Sequence, residues 1–507
     1  MVLVMETITD SDAIIREKEE EILRLKDRIK WLERALFSSR SERIISTNAN
    51  QGEFEDLLAE LEELSNELDG NEQIQESKPK GKKQRKKRRS LDELIPEDLP
   101  REDIIIDVPE NERICPVTGV PFKKIDEQIS EKLAFKPGSY FVKRYIRPKY
   151  AHPVDSSYGI LCEPMINCAI PGSSFDESIT AAIGVDKCAY HLPLYRQQEK
   201  MRAAGIIVSR QTLSQHYMRG AQALEPLFDL MKQKVLESGY IFTDDTPVQL
   251  QVKGKKKTVT GRMWVYIAGG DSQNYIVFDF TVDRKAEHIW NFLQDYKGYV
   301  HADAYSGYDK LFEKEEITEC ACWMHVRRKF YEAEDGPVEL RETILKLIQN
   351  LYRYERVLSK AKPEQRLKYR QIKISPIVEE IFNKARNALT DNKTVILPRS
   401  KIRQAISYLF NQQHALKTFL TDPYVKPDNG TSERAIRPLA IGRKNWLHAG
   451  SKNGGKATAV WMSIIQTCRA MGIEPFSYLD DVLRKINSTS DLESLLPGRW
   501  KKEKSQK

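Results

Sequence analysis

The spacing of apolar side chains changes character several times along the chain. Ile8, Ile15, Ile22, Ile29 and Leu36 recur every seven residues, with Leu25 and Leu32 at the companion positions and Ser11 and Lys18 interrupting the first two. That repeat predicts a coiled coil over 1–45, and self-association through it; an amphipathic helix packed within the chain is the alternative. A shorter seam follows at Phe54, Leu57, Leu61, Leu64 and Leu68. From 96 to 172 the pattern shortens to β-like pieces, IIIDV and YFVKRYI, broken by Pro and Gly. Residues 173–237 read as helical, interrupted at Gly205 and restarted at Ser209, which predicts either a helix-turn-helix or ordinary helical packing. Over 238–335 three strand patterns (YIFTDDTPVQLQV, VTGRMWVYIA, NYIVFDF) give way to alternating helix and strand (RKAEHIWNFLQDY, YVHADAY, YDKLFEKE, ITECACW). Residues 336–425 are all-helical, 426–475 return a helix after the KPDNG turn, and 476–507 form a last helix and tail. The expected class is a multidomain α+β protein with an α/β layer at its centre.

Charge redraws the region between the coil and the β-rich part. Residues 52–76 carry ten acids and no base, and 78–89 nine bases and no acid, so 46–95 reads as a solvated linker. Its run Lys86, Lys87, Arg88 and Arg89 is suited to non-specific phosphate contact, or simply to solubility. Across 507 residues Lys and Arg total 81 and Asp and Glu 73, a net +8 that permits a polyanionic partner. No long apolar run is present, the start lacks a basic leader, and seven cysteines are an odd, sparse set. The expectation is a cytoplasmic protein with no membrane span, signal peptide or disulfide scaffold.

Within the α/β layer, acids sit where strands deliver them. Asp244 follows Ile241 and Phe242, and Asp303 lies in VHADAY; a carboxylate beside a core is costly unless paired or bound to a cation. Oxygen donors from adjacent strands suit a hard ion such as Mg²⁺. Glu433 opens a helix after Thr431 and Ser432, with Arg437 one turn further on the same face. Pro438 is expected to kink or end that helix, leaving Arg443 and Lys444 as further candidate DNA contacts.

The motifs HLPLYRQ (191–197), DDTPVQ (244–249), HADAYSGYDKLF (301–312), CWMHVRRKF (322–330) and DNGTSERAIRPLAIGRKNW (428–446) resemble those of the insertion-sequence-66 family of bacterial transposases. FSSRSERI (37–44) resembles that family's N-terminal signature. The resemblance implies a DDE transposase with a ribonuclease-H-like core, a triad of Asp244, Asp303 and Glu433 holding two Mg²⁺ or Mn²⁺ ions, and a helical insertion between the last two acids. Asp244 is preferred over Asp245 because the family's acid is the first of the pair, and alternation sends the two to opposite faces. His325, Arg327 and Arg328 become candidate DNA contacts by the same likeness. The implied partners are transposon-end and target DNA, further copies of the chain, and accessory proteins of the same element, in a nucleoid-associated setting.

The family's zinc ribbon is degenerate here. Thr118 stands where the partner of Cys115 belongs, and His152 and Asp155 replace a second cysteine pair. Cys115, His152, Cys162 and Cys168 are the remaining ligand set, and the expectation is the ribbon without its metal. Cys320 and Cys322 near His325 read as strand-to-helix packing. GSKNGGKA (450–457) nearly matches a nucleotide phosphate loop, but Ala457 lacks the hydroxyl that would bind Mg²⁺, so it reads instead as a Gly-rich loop near phosphodiester. The rival functions are a non-catalytic DNA-binding derivative and a nuclease without strand transfer.

Overall fold

The computed structural model describes residues 168–506 except 255–256, 271–274 and 391–395, together with Gly138, Tyr140, Phe141 and two short strands. The expected coil, the acidic and basic linker with Lys86, Lys87, Arg88 and Arg89, and Cys115 and His152 lie outside the described residues. The short strands, β1 (Lys149–Ala151) and β2 (Ile160–Cys162), pair antiparallel.

Three helices precede the main sheet: α1 (Glu177–Cys188), α2 (Leu194–Ala203) and α3 (Arg210–Leu236). Gly205 turns with φ +81° between α2 and α3, and the Ser209 hydroxyl caps α3 by accepting from Thr212 N–H. The helix pair therefore exists where its pattern placed it. Its second member spends a long face on the core, burying Leu213, Tyr217, Leu224, Leu227, Met231 and Val235.

β3 (Tyr240–Leu250) is the centre of a five-stranded sheet. β4 (Val259–Ala268) and β5 (Ile276–Thr281) extend it antiparallel on one side, β6 (Gly298–His301) and β7 (Ile317–Cys320) parallel on the other, in the order β5-β4-β3-β6-β7. α4 (Ala286–Leu293) carries the chain from β5 to β6, and α5 (Asp309–Phe312) from β6 to β7. After α6 (Trp323–Glu332) comes a run of helices: α7 (Val338–Leu358), α8 (Pro363–Tyr369), a π-helical turn at Arg370–Ile374, α9 (Ser375–Thr390), α10 (Lys401–Asn411) and α11 (Gln413–Lys417). Then follow α12 (Gly430–Trp446), α13 (Lys452–Ala470), α14 (Pro475–Lys485) and α15 (Pro497–Gln506).

α13 holds the sheet to the helices. Trp461 is fully buried and its indole donates to the Tyr217 carbonyl at 2.9 Å. Gly184 and Gly220 make room, since a Cβ at either would lie 2.4 or 2.8 Å from the ring. On the same helix, Ser463 and Thr467 hydroxyls accept the outward N–H groups of Phe278 and Ile276 at 2.7 and 2.9 Å. Edge strand β5 is thus satisfied by side chains instead of another strand.

α12 continues through Pro438 to Trp446, so the proline does not end the helix. Proline removes one intrahelical bond there, but Ala435, Ile436, Leu439 and Gly442 remain buried on either side, and that packing outweighs the local penalty.

Candidate active site

Register brings the first two acids together. β3 and β6 pair in parallel as far as Phe242 and His301, so Asp244 and Asp303 each lie two residues past the last pair: Asp303 just beyond the end of β6, and Asp244 within β3 where that strand continues without its β6 neighbour. This is where parallel strands expose a crevice. Oxygens of Asp244, Asp245 and Asp303 lie within 4.8 Å of one another, the single three-ligand group among the described residues. Alternation was expected to separate Asp245 from Asp244. Instead the two carboxylates each bring an oxygen into the group with Asp303, and Asp245 N–H donates to Asp244 Oδ1 at 2.7 Å.

The three carboxylates are compensated unequally. Asp245, almost wholly covered, accepts Arg284 Nη2 and Nε at 2.6 and 3.0 Å and Arg262 Nη1 at 3.0 Å. Arg284 also reaches Asp303 at 3.4 Å and stacks over the Tyr305 ring at 3.8 Å, while Tyr305 O–H donates to the Arg284 carbonyl. Asp303 is pushed up by burial, with Arg284 opposing. Asp244 has no cation in hydrogen-bonding reach among the described residues. Burial raises its pKa to about 7, the Asp245 N–H works against that rise, and the charges of Asp303, Asp245 and Glu433 add to it. A half-buried oxygen cluster short of positive charge is the environment a divalent cation completes, so the donors fit Mg²⁺ or Mn²⁺.

Glu433 arrives from the first turn of α12. Asn429 anchors that turn: its Nδ2 donates to the Thr243 carbonyl at 2.8 Å, one residue before Asp244, and its N–H to Cys322 Sγ at 3.3 Å. Glu433 lies outside the 4.8 Å group, although its charge acts on Asp244. His325 Nε2 stands 3.7 Å from Glu433 Oε1; burial lowers the histidine's pKa and Glu433 opposes that.

The other candidates divide. Arg437 and Lys444 are exposed on α12, on the same helical face as Glu433. Arg443 instead donates to Thr246 Oγ1 at 2.7 Å and ties α12 to β3. Arg327 and Arg328 are half-buried on α6, Arg327 lying 5.8 Å from the Tyr331 ring. Cys320 and Cys322 are buried, and among the described residues they join no three-ligand group; burial raises the Cys322 thiol to about 12. Cys168 joins no such group among the described residues, and the Cys162 side chain lies outside them. Arg284, Arg262 and Asn429 went unread in the sequence. Arg262 is the diagonal cross-strand neighbour of Asp245, a relation that only the β3–β4 register reveals.

Comparison with known proteins gives this geometry a context. Residues 172–457 match the family described as Transposase IS66 family, 463–497 the IS66 C-terminal element, and 24–104 the Transposase C of IS166 homeodomain. Uncharacterized protein y4hP of Sinorhizobium fredii (strain NBRC 101917 / NGR234) is 29% identical over 507 aligned residues, covering 95% of this chain and 89% of the relative. Uncharacterized protein y4jD of the same organism is 31% identical over 425, covering 80% and 82%. These matches define a transposase, with an acidic cluster of the kind that uses a divalent metal. The chain belongs to the IS66 transposase family. No helix among the described residues is long and apolar enough to cross a membrane.

Proposed function

We propose that the protein is a DDE transposase with a ribonuclease-H-like core, which frees the 3′ ends of its own element and joins them to target DNA. The observation that carries this reading is the convergence of Asp244 and Asp303 just past the point where β3 and β6 stop pairing, with Asp244 left uncompensated. The strand order β5-β4-β3-β6-β7, three antiparallel strands followed by two parallel ones, supports the core assignment.

Asp244 and Asp303 would hold the metal, with Glu433 closing the site from α12. Bound there, divalent ions supply Lewis-acid activation of the attacking oxygen and charge stabilisation at the leaving one. Asp245 takes a different part: held by Arg262 and Arg284, it fixes Arg284 beside Asp303. Arg284 is then placed to meet phosphate charge at the site. Exposed Arg437 and Lys444, on the Glu433 face, extend that positive surface. The coil over 1–45 would join the copies that hold two element ends, the basic linker and helix pair would add DNA affinity, and accessory proteins of the element are expected partners.

The test is an end-cleavage and joining assay on labelled element-end duplex with Mg²⁺. Asp244→Asn should retain DNA binding and lose cleavage by on the order of 10³-fold, about 4 kcal/mol of barrier. Normal cleavage by that variant overturns the assignment. Wild-type cutting without joined product favours the simple nuclease.

A further inference from the structure

The Gly-rich segment 450–457 is not the expected loop: from Lys452 onward it forms the first turns of α13, and Gly455 serves packing, since a Cβ there would lie 2.4 Å from the Phe280 ring. Its lysines break local rules. Lys452 and Lys456 are exposed, occupy the first turns of α13 one turn apart, and no acid accompanies them in the first turn. Like charges at this spacing repel, and the helix N-terminus is already positive, so both features cost stability. Sequences keep such conflicts where function requires them.

Both lysines line a cavity of about 250 Å³ beside edge strand β5. Lys232 of α3 completes a positive wall; His288 of α4 also lines the cavity, its Nε2 2.6 Å from Asp283 Oδ1, and Asp279 of β5 is the single carboxylate in the lining. Three ammonium groups against one carboxylate leave the cavity short of negative charge. Asp279 is pushed up by burial, and the charges of Lys232, His288 and Lys456 oppose that, although none of the three forms an ion pair with Asp279 among the described residues. The same stretch of chain serves the acids. Thr281 and Val282 line the cavity, and Arg284, just beyond, contacts Asp245 and Asp303.

We infer that this cavity binds a phosphodiester of the DNA backbone, a second anchor beside the acid cluster; the inference rests on the DNA reading above. The donor set argues for a diester over a nucleotide. Lysines act as point charges tolerant of orientation, no arginine lines the cavity to fork onto a terminal phosphate, and Asp279 opposes a dianion more than a monoanion. Ala457 removes the hydroxyl a nucleotide-bound Mg²⁺ would need.

Two measurements on the full chain test it. The first is the affinity of Lys452→Gln/Lys456→Gln for a fluorescent duplex of mixed sequence across a salt series, with thermal unfolding to check the fold. Each lost phosphate contact should flatten the slope of log affinity against log salt by about 0.9. The second is lysine acetylation of the wild type, read by mass spectrometry: DNA should shield Lys452 and Lys456, and inorganic phosphate should not. An unchanged slope with unshielded lysines overturns the cavity assignment while leaving DNA binding intact. Shielding by inorganic phosphate equal to that by DNA also overturns it, in favour of a free-anion site. A wild-type chain with no salt-dependent DNA affinity would instead remove the DNA reading itself.

Discussion

Arg370 in the helical region between α6 and α12 and Asp244 in the sheet are both charges withdrawn from water, and their surroundings differ in kind. The π-helical turn aims the Arg370 guanidinium inward, where Nε and Nη2 donate to the Glu355 carboxylate at 2.7 and 2.8 Å. Its Nη1 donates to the carbonyls of Phe419 and Asp422 at 2.6 and 2.8 Å. Ion and counter-ion are matched, and the bonds tie α7 to the segment that leads to α12. Asp244 is surrounded by other acids, and the nearby arginines are spent on Asp245 and Asp303. A completed charge cluster holds a fold together; an incomplete one is costly to the apo fold and keeps a place for a cation.

The contrast can be broken at either end, and the larger effect should come from the satisfied end. Arg370→Met leaves the Glu355 carboxylate buried and unpaired, and should destabilise the protein by about 3–5 kcal/mol. Adding Glu355→Leu should recover much of that loss in urea or thermal unfolding. If Arg370→Met alone is neutral, that helical region is not held as described.

The smaller effect has the opposite sign. With a folded pKa near 7 against an ordinary value of 3.8, Asp244 costs the folded state nothing below about pH 4 and progressively more as pH rises through 7. In EDTA, Asp244→Asn should therefore stabilise the protein by about 1–3 kcal/mol at pH 8 and by much less at pH 5. A loss of stability at pH 8 would mean that the carboxylate is paired after all.

Much of this contrast could be read in the chain, and the unread parts share a cause. β4 was legible to the residue, because VTGRMWVYIA is bounded by turns and rich in strand formers. Asp244 and Asp303 stood out as acids embedded in apolar strands, and Glu433 as an acid just past two helix-capping residues. The pairing of Asp245 with Arg262 and Arg284 was not legible, because it needs the β3–β4 register and the path of the chain after β5. Pro438 misled for a related reason: local propensity was read without the buried residues that flank it. Arg370 carries no sequence mark, since its partners are side chains and carbonyls from distant segments.

The central claim is that these acids lack the cation they are arranged to hold, and the most direct measurement is Mn²⁺ binding followed by electron paramagnetic resonance in the absence of DNA. The wild-type chain should take up Mn²⁺, and take up less as pH falls below 7, whereas Asp244→Asn and Asp303→Asn should each lose the specific signal. Equal binding by wild type and both variants would place the metal elsewhere and contradict the account.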